Sequence, residues 1–507
     1  MMKKNCTYTI VIKDNKFAQI EEKVTNGHRI LINSVTSYVD NEATQALRGM
    51  AGGGYVREIR KKLYRPKTQR FPHGLVKRVK KVLEKHGHTV EIKDSRKKLA
   101  LPEEEVRRRF KNLPVKLRGY QKRAVIKSMT QSGLIEVATG GGKTIILAAT
   151  IAISRVPSLI LTHRVELMAQ LRDSIAWITG EEVGVIGDGV WEPKNITVGL
   201  VASLNAASFS LDMFGVSKET KLKKFFEGIK YLVIDEAHHA AARSWAKVIK
   251  ACKNTELRHG LSATMFRTDN ADLLLNAHIG ETIFRRGTSY LIRKGYLAKP
   301  DIEIALVNWR GSDLPNHWQT VEKNMIVEND ERNKIGCKFI YNHYAEGRQI
   351  LGIVRLIKHG NALRDMLVEK FGVEPKDVKF VHGSTSKAVR EKTLEDFKNG
   401  LFPILLGSSI YDEGVDIPAI DAACNFAAGI SEIKVRQRIG RILRKKKDEK
   451  GDIDKSTEQI VYYMDFFDKG HKFVRRHSRL RLEVYLSEPE FRLHGYLGIK
   501  GVKGIAK

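Results

Sequence analysis

Ala138-Thr139-Gly140-Gly141-Gly142-Lys143-Thr144 is the strongest chemical signal in the chain. A triphosphate presents many oxygens at short range and needs as many donors. The backbone of Thr139, Gly140, Gly141 and Gly142 can close N–H groups around such an anion, and the N-terminus of a following helix adds its positive end. An apolar run precedes the segment and a helical stretch follows from Ile145, the order a phosphate-binding loop requires. Lys143 is placed to reach the β and γ phosphates, and the Thr144 hydroxyl to hold Mg²⁺. The run departs from the general pattern at one position, where Val137 stands in place of the first glycine.

Two further sets could complete the chemistry. Tyr231 to Ile234 is apolar enough for a buried strand, and Asp235-Glu236-Ala237-His238 follows at its carboxyl end, where open parallel sheets bind ligands. Asp235 would hold Mg²⁺, through water, and Glu236 would polarise the attacking water. His238 and His239 are adjacent and share no face, which favours coupling or packing over metal binding. Gln437-Arg438-Ile439-Gly440-Arg441-Ile442-Leu443-Arg444 spaces three arginines by three, which predicts one side of a helix aimed at one anion. An arginine set against a transferring phosphoryl group is worth about 10³ to 10⁵ in rate.

These residues need elements to position them. From about 113 to 298, short apolar runs alternate with amphipathic stretches: Leu134 to Ala138, Val156 to Thr162, Ile196 to Ala202, Tyr231 to Asp235 and His259 to Ala263 are candidate strands. The alternation predicts a parallel sheet covered by helices. Gly295 to Pro300 reads as a boundary, after which Ile350 to Val354, Val378 to His382, Pro403 to Ser408, Ala422 to Ala427 and Gln459 to Asp465 repeat the pattern to about 470. The fold class is therefore α/β, with two lobes in series.

Residues 1 to 112 form a small basic α+β domain ahead of them. Between Arg57 and Lys98 stand sixteen Lys or Arg and four acids. Leu75, Val76, Val79, Val82 and Leu83 fall on one helical face, with Lys77, Arg78, Lys80, Lys81 and Lys85 largely opposite, and Thr89 to Ile92 reads as a short strand. Residues 471 to 507 are a basic extension without a legible pattern.

Charge sets the partner class. The chain has 507 residues with 89 Lys and Arg against 58 Asp and Glu, a net +31, which attracts polyanions. No apolar run approaches the roughly 20 residues of a spanning helix, and Lys3 and Lys4 precede too short an apolar stretch for a signal peptide. Cys6, Cys252, Cys337 and Cys424 are too scattered for a zinc or redox motif. A cytoplasmic protein with a nucleic-acid partner and no membrane is expected.

The ordered set from 115 to 465 resembles the motifs of superfamily 2 helicases of DEAH-box type. The resemblance implies two RecA-like lobes with ATP and Mg²⁺ held between them. Leu117-Arg118-Gly119-Tyr120-Gln121 looks like the nucleotide-recognition segment, in which Gln121 would read the adenine and Arg118 belongs to the same site. Thr162 to Gln170 resembles the strand-contacting motif, and Ser262-Ala263-Thr264 the motif that couples hydrolysis to movement, a coupling role to which His238 is also assigned. Glu413-Gly414-Val415-Asp416-Ile417-Pro418 is similar to the motif touching both nucleotide and nucleic acid. Gln437, Arg441 and Arg444 match the arginine-finger motif.

Phe71-Pro72-His73-Gly74-Leu75, ahead of a basic helix, resembles the N-terminal substrate domain of UvsW-type phage helicases, which regress forks and migrate branched DNA. That resemblance implies DNA held mainly by its phosphates, 3′ to 5′ movement, and a host-cytoplasm location for a phage protein. An RNA helicase, the motor of a restriction enzyme (Glu91-Ile92-Lys93 has the Glu-x-Lys spacing of one nuclease motif), and a catalytically inactive ATP-gated clamp are the competing readings.

Overall fold

The computed structural model describes residues 6–495 apart from 41–42, 45, 48–57, 98, 207–215, 264–271, 310, 312–313, 315, 409–418, 430, 447–452, 454 and 456. It comprises two compact units: residues 1–137 with 142–285, and residues 286–507 with 138–141.

In the first unit, a four-stranded sheet has the order β3-β2-β1-β4, formed by β1 (Thr7–Ile12), β2 (Phe17–Ile20), β3 (Arg70–Pro72) and β4 (Thr89–Asp94). β1 runs parallel to β4 and antiparallel to β2. Two helices, α1 (Asn26–Thr36) and α2 (Val76–Lys85), accompany the sheet. The expected apolar face of α2 is the buried one: Leu75, Val79 and Leu83 join Ile10, Ile20 and Phe71 in one core. Each such side chain is worth about 1.5–3 kcal/mol when fully buried. Lys77, Lys81 and Lys85 stay in solvent. Glu91 pairs with Thr9 in the β1–β4 ladder and is exposed.

The larger sheet of this unit has the order β8-β7-β9-β6-β10-β11-β5-β12. Its strands are β5 (Gly133–Val137), β6 (Ser158–Thr162), β7 (Val183–Gly187), β8 (Val190–Glu192), β9 (Ile196–Leu200), β10 (Tyr231–Asp235), β11 (Leu257–Ser262) and β12 (Thr282–Arg286). β5, β6, β7, β9, β10 and β11 are joined by parallel pairings. Helices α3 (Gly119–Thr130), α4 (Lys143–Ser154), α5 (Val165–Thr179) and α6 (Asp272–Ile279) belong to the same unit. Tyr231 to Ile234 are wholly buried, which explains why this strand is a continuous apolar run rather than an alternating one.

Phe71-Pro72-His73-Gly74 forms the seam between the two sheets. Phe71 and Pro72 end β3, and His73–Leu75 make one 3₁₀ turn leading into α2. A Cβ on Gly74 would fall 1.9 Å from the carbonyl oxygen of Asn276 on α6, so only glycine fits this approach. Leu273 and Ala277 of α6 are part of the N-terminal core. Beside them the buried Arg258 donates to Asn15 O at 3.0 Å, Thr255 Oγ1 at 2.7 Å and Cys252 O at 2.7 Å. Arg96 donates to Asn15 Oδ1 at 2.5 Å, and Asn15 Nδ2 donates to Thr255 O. Burial, followed by the charges of Arg258 and Arg96, holds the His73 imidazole well below its ordinary value.

The sheet of the second unit has the order β15-β16-β14-β17-β18-β13-β19. Its strands are β13 (Lys299–Val307), β14 (Ile350–Ile353), β15 (Val378–Val381), β16 (Ile404–Gly407), β17 (Ala422–Asn425), β18 (Ile460–Asp468) and β19 (Arg492–His494). Every pairing in it is parallel. Helices α7 (Asp330–Ala345), α8 (Glu432–Ile442) and α9 (Lys472–Leu486) accompany it. The segment read as a boundary runs directly into β13, which pairs with β18 from Lys299↔Ile460 to Val307↔Asp468. The described part of 471–507 folds as α9 and β19, the latter parallel to β13.

Two buried arginines fix the chain after β17. Arg332 on α7 pairs with Asp468 at 2.9 Å and donates to Phe426 O at 3.2 Å. Arg481 on α9 pairs with Asp465 at 2.8 Å and donates to Gly429 O at 3.0 Å. Among the described residues, no helix is long and apolar enough to cross a membrane.

His259 in β11 is buried between Tyr231 Oη at 2.9 Å and Gln131 O at 3.0 Å. Burial pushes its pKa down to about 4. The unfolded chain takes up this proton near its ordinary value of about 6.5, so unfolding binds a proton between the two. Stability should be full above about pH 6.5 and fall as pH drops towards 4. Urea midpoints across this range should fall less steeply in His259→Asn, and an unchanged slope would remove His259 from the acid response.

Candidate nucleotide site

Parallel pairing brings the loops after β5, β10 and β11 to one sheet edge. The registers His259↔Gly133, Ser262↔Glu136 and Asp235↔Leu261 show the three strands ending together. Gly140 and Gly142 take left-handed backbone (φ 78° and 74°), and α4 begins immediately at Lys143. Lys143 and Thr144 thus sit in the first helical turn, where backbone N–H groups point outward without intrahelical partners.

Gln121 closes this loop from the side. Its amide is buried and its Oε1 accepts from Arg118 N at 2.9 Å. A Cβ on Gly142 would lie 2.6 Å from Gln121 Nε2, so the cradle exists because that position carries none. The loop and its first helical turn fit a triphosphate, and the hydroxyl of Thr144 with the carboxylate of Asp235 is a hard-oxygen set that fits Mg²⁺.

Asp235 stands at the end of β10. Burial and the neighbouring Glu236 carboxylate raise its pKa, while Lys143, a backbone hydrogen bond and His163 oppose the rise. The lysine of the loop and the acid of the strand end therefore lie within electrostatic reach. Glu236 itself adopts left-handed backbone (φ 47°), which turns the chain sharply into Ala237–Ala241. Such a conformation in a non-glycine residue costs on the order of 1–3 kcal/mol and clusters at functional positions.

Glu236, His238 and Ser262 meet. His238 Nδ1 is 3.3 Å from Ser262 Oγ and 3.4 Å from Glu236 Oε2, and Ser262 Oγ is 3.5 Å from the same carboxylate oxygen. The ring of His239 lies 4.2 Å from that of His238, 4.4 Å from His163 and 6.0 Å from Trp245, with which it stacks. The adjacent histidines are thus divided: His238 faces the acid and serine, and His239 packs. Trp245 is the participant that sequence reasoning missed, and His163, which lies in the strand-contacting motif, joins here through a contact that has no local signal.

In the second unit, Gln437 and Arg441 lie on α8, with Gln437 buried. Arg444 corrects the expected single helical side. α8 ends at Ile442, and Arg444 sits beyond it in a β-bridge with Leu297. Burial lowers its guanidinium pKa below the ordinary value. Thr264, Glu413, Gly414 and Asp416 lie outside the described residues.

Two family models match, "Type III restriction enzyme, res subunit" over residues 114–267 and "Helicase conserved C-terminal domain" over 331–446. The two matches take in the loop, the acids, the serine and the arginine segment in order. The chain belongs to the superfamily 2 helicases. This helicase is 25% identical over 371 residues to the DNA 3′-5′ translocase XPB2 of Sulfurisphaera tokodaii, covering 66% of this chain and 80% of that one. It spans only 51% and 56% of the length of two other curated relatives it matches.

Among solved structures, S. cerevisiae Dbp5 bound to RNA and ADP BeF3 superposes with a TM-score of 0.50 at 15% identity, over 78% of this chain and 93% of that one. Phage T4 UvsW superposes with a TM-score of 0.46 at 18% identity, over 96% and 99%. The large sheet of each unit is of the RecA-like kind, and the matched domains are those of an ATP-dependent helicase.

Ser262→Ala removes the hydroxyl between His238 and Glu236. Strand displacement per ATP consumed should fall about fivefold, the worth of roughly one hydrogen bond, with ATP binding retained. Measuring both on one preparation checks this; equal loss of turnover and displacement would place Ser262 in hydrolysis itself.

Proposed function

We propose that this helicase is a DNA-dependent ATPase that unwinds or branch-migrates forked and recombination DNA. The observation that carries the reading is the common sheet edge of the first unit, where Lys143, Asp235 and the Glu236–His238–Ser262 cluster gather. In this reading residues 113–298 and 299–470 are the motor lobes. Residues 1–112 bind nucleic acid, and 471–507 extend the second lobe. The arginine segment supports a part for the second lobe in hydrolysis, and the relative's name supports DNA and 3′ to 5′ movement.

Thr139 to Gly142 would wrap the triphosphate with backbone N–H groups, and Lys143 would neutralise its outer oxygens. Arg118 and Gln121 would hold the adenine end. Thr144 and Asp235 would hold Mg²⁺, which when bound draws charge from the phosphate oxygens. Glu236 would accept the proton of the attacking water; its neighbour Asp235 has a pKa raised first by burial and then by the Glu236 charge. Arg441 and Arg444 would stabilise the charge that develops on the transferred group, with Gln437 beside them. Thr264, Glu413, Gly414 and Asp416 would relay the nucleotide state to the strand. Backbone-directed contacts let a motor step along any sequence, and a net charge of +31 suits them.

Lys143→Ala should abolish DNA-stimulated ATP hydrolysis while DNA binding survives, read by phosphate release and by anisotropy. Retained hydrolysis would break the phosphate-loop assignment. Arg444→Ala should leave ATP binding near wild type and cut turnover at least about a hundredfold; lost binding with normal turnover would contradict the finger role. Supplying a forked duplex, a four-way junction or an RNA duplex in the same assay separates the DNA reading from an RNA helicase.

A further inference from the structure

The second unit holds a cavity of about 600 Å³ whose lining shares only Arg438 with the arginine segment. It is lined by Trp318 and Phe473, by the cations Arg355, Lys434, Arg438 and Arg476, and by one carboxylate, Glu322. Glu322 is ion-paired with Arg355. The lining therefore carries a clear positive excess against half-buried aromatic surface.

The aromatic wall is built. Val321, Met325, Ile326, Ala428 and Val474 form a buried cluster against which Trp318 and Phe473 pack. The indole of Trp318 lies 4.5 Å from the His477 ring and 6.4 Å from that of Phe473. His477 also lines the cavity, and its Nδ1 is buried with no hydrogen-bond partner among the described residues.

The floor is held rigidly. Ala427, Ala428 and Gly429 follow β17, and Ala428 takes left-handed backbone at φ 50°, a strained state for a residue with a side chain. The buried Arg332 and Arg481 clamp the carbonyls on either side, Phe426 O and Gly429 O.

We infer that this cavity is a seat for unpaired nucleotides of a single strand, with a base against the Trp318–Phe473 wall and phosphates on Arg355, Lys434, Arg438 and Arg476. Every base has a π face, so stacking holds any sequence and is compatible with stepping. A duplex keeps its base faces covered, so the seat selects the strand already separated. Arg438 lies one turn from Arg441 on α8, so a strand seated here bears on the helix that carries a candidate finger. The inference rests on the nucleic-acid motor reading and adds a base-contacting site to it.

The test uses the full chain, oligothymidylate, and an abasic deoxyribose-phosphate strand of equal length. Trp318→Ala should weaken oligothymidylate binding about five- to 150-fold, as expected of an aromatic stacking platform, and Trp318→Phe should restore most of it. Abasic binding should be the same in wild type and Trp318→Ala. The exposed Arg476→Gln should make the log–log salt dependence shallower by about 0.7 for each phosphate it no longer neutralises. Thermal melts of each variant verify the fold, and an unfolded Trp318→Ala leaves Trp318→Phe against Arg476→Gln to decide. Wild type that binds no strand overturns the motor reading and this seat together. Wild type that binds while folded variants bind equally well overturns the seat alone, as does an abasic strand that responds to Trp318→Ala.

Discussion

Parallel pairing is the constraint on which the molecule depends. A parallel strand can be reached only by a crossover, so each strand leaves the sheet at the same edge as its neighbours. In the large sheet of the first unit that rule makes β5, β10 and β11 end side by side, so the start of α4, the acids and the serine follow from one edge though separated by more than a hundred residues of chain. The cost is electrostatic. Burial of Asp235 and the adjacent Glu236 charge both raise its pKa, and Lys143, a backbone hydrogen bond and His163 offset only part of that rise. The edge is thereby prepared for a cation and an anion arriving together.

The second unit obeys the same topology but anchors its edge differently. Arg332–Asp468 and Arg481–Asp465 are almost wholly buried pairs, each with a further bond to a carbonyl of the chain after β17. Removing one partner of such a pair costs about 3–5 kcal/mol, because the other charge is left stranded. Replacing both by apolar residues is often neutral for stability, so their value here is the fixed path of residues 426–429. Tyr485 Oη donates to the same Asp465 at 2.7 Å, which extends the clamp along α9.

The legible parts of the fold were those with local signatures. β10 and β14 are buried on both faces and read as unbroken apolar runs. β7, β8 and β12 escaped notice because they lie towards the margins of their sheet and are partly or wholly exposed: Val190, Trp191 and Glu192 all face solvent. β13 was hidden by Pro300 and the turn residues before it, yet the proline sits where β19 does not pair, since that ladder starts at Asp301. Among the candidate site residues, Lys143, Asp235 and Ser262 were found from short motifs. The ring contact of His163 with His239 and the cavity around Trp318 were not, because both arise between segments distant in sequence. Arg444 obeyed the helical spacing in sequence and left the helix in space, since α8 ends two residues before it.

The seam at Gly74 carries a mechanical consequence. The core of the N-terminal sheet borrows Leu273 and Ala277 from α6, and Arg258 bonds Asn15 across the same joint. The small domain is thus a fixed outrigger on the first lobe rather than a tethered hand. The lysine-studded face of α2 therefore keeps one orientation relative to the sheet that ends in Asp235.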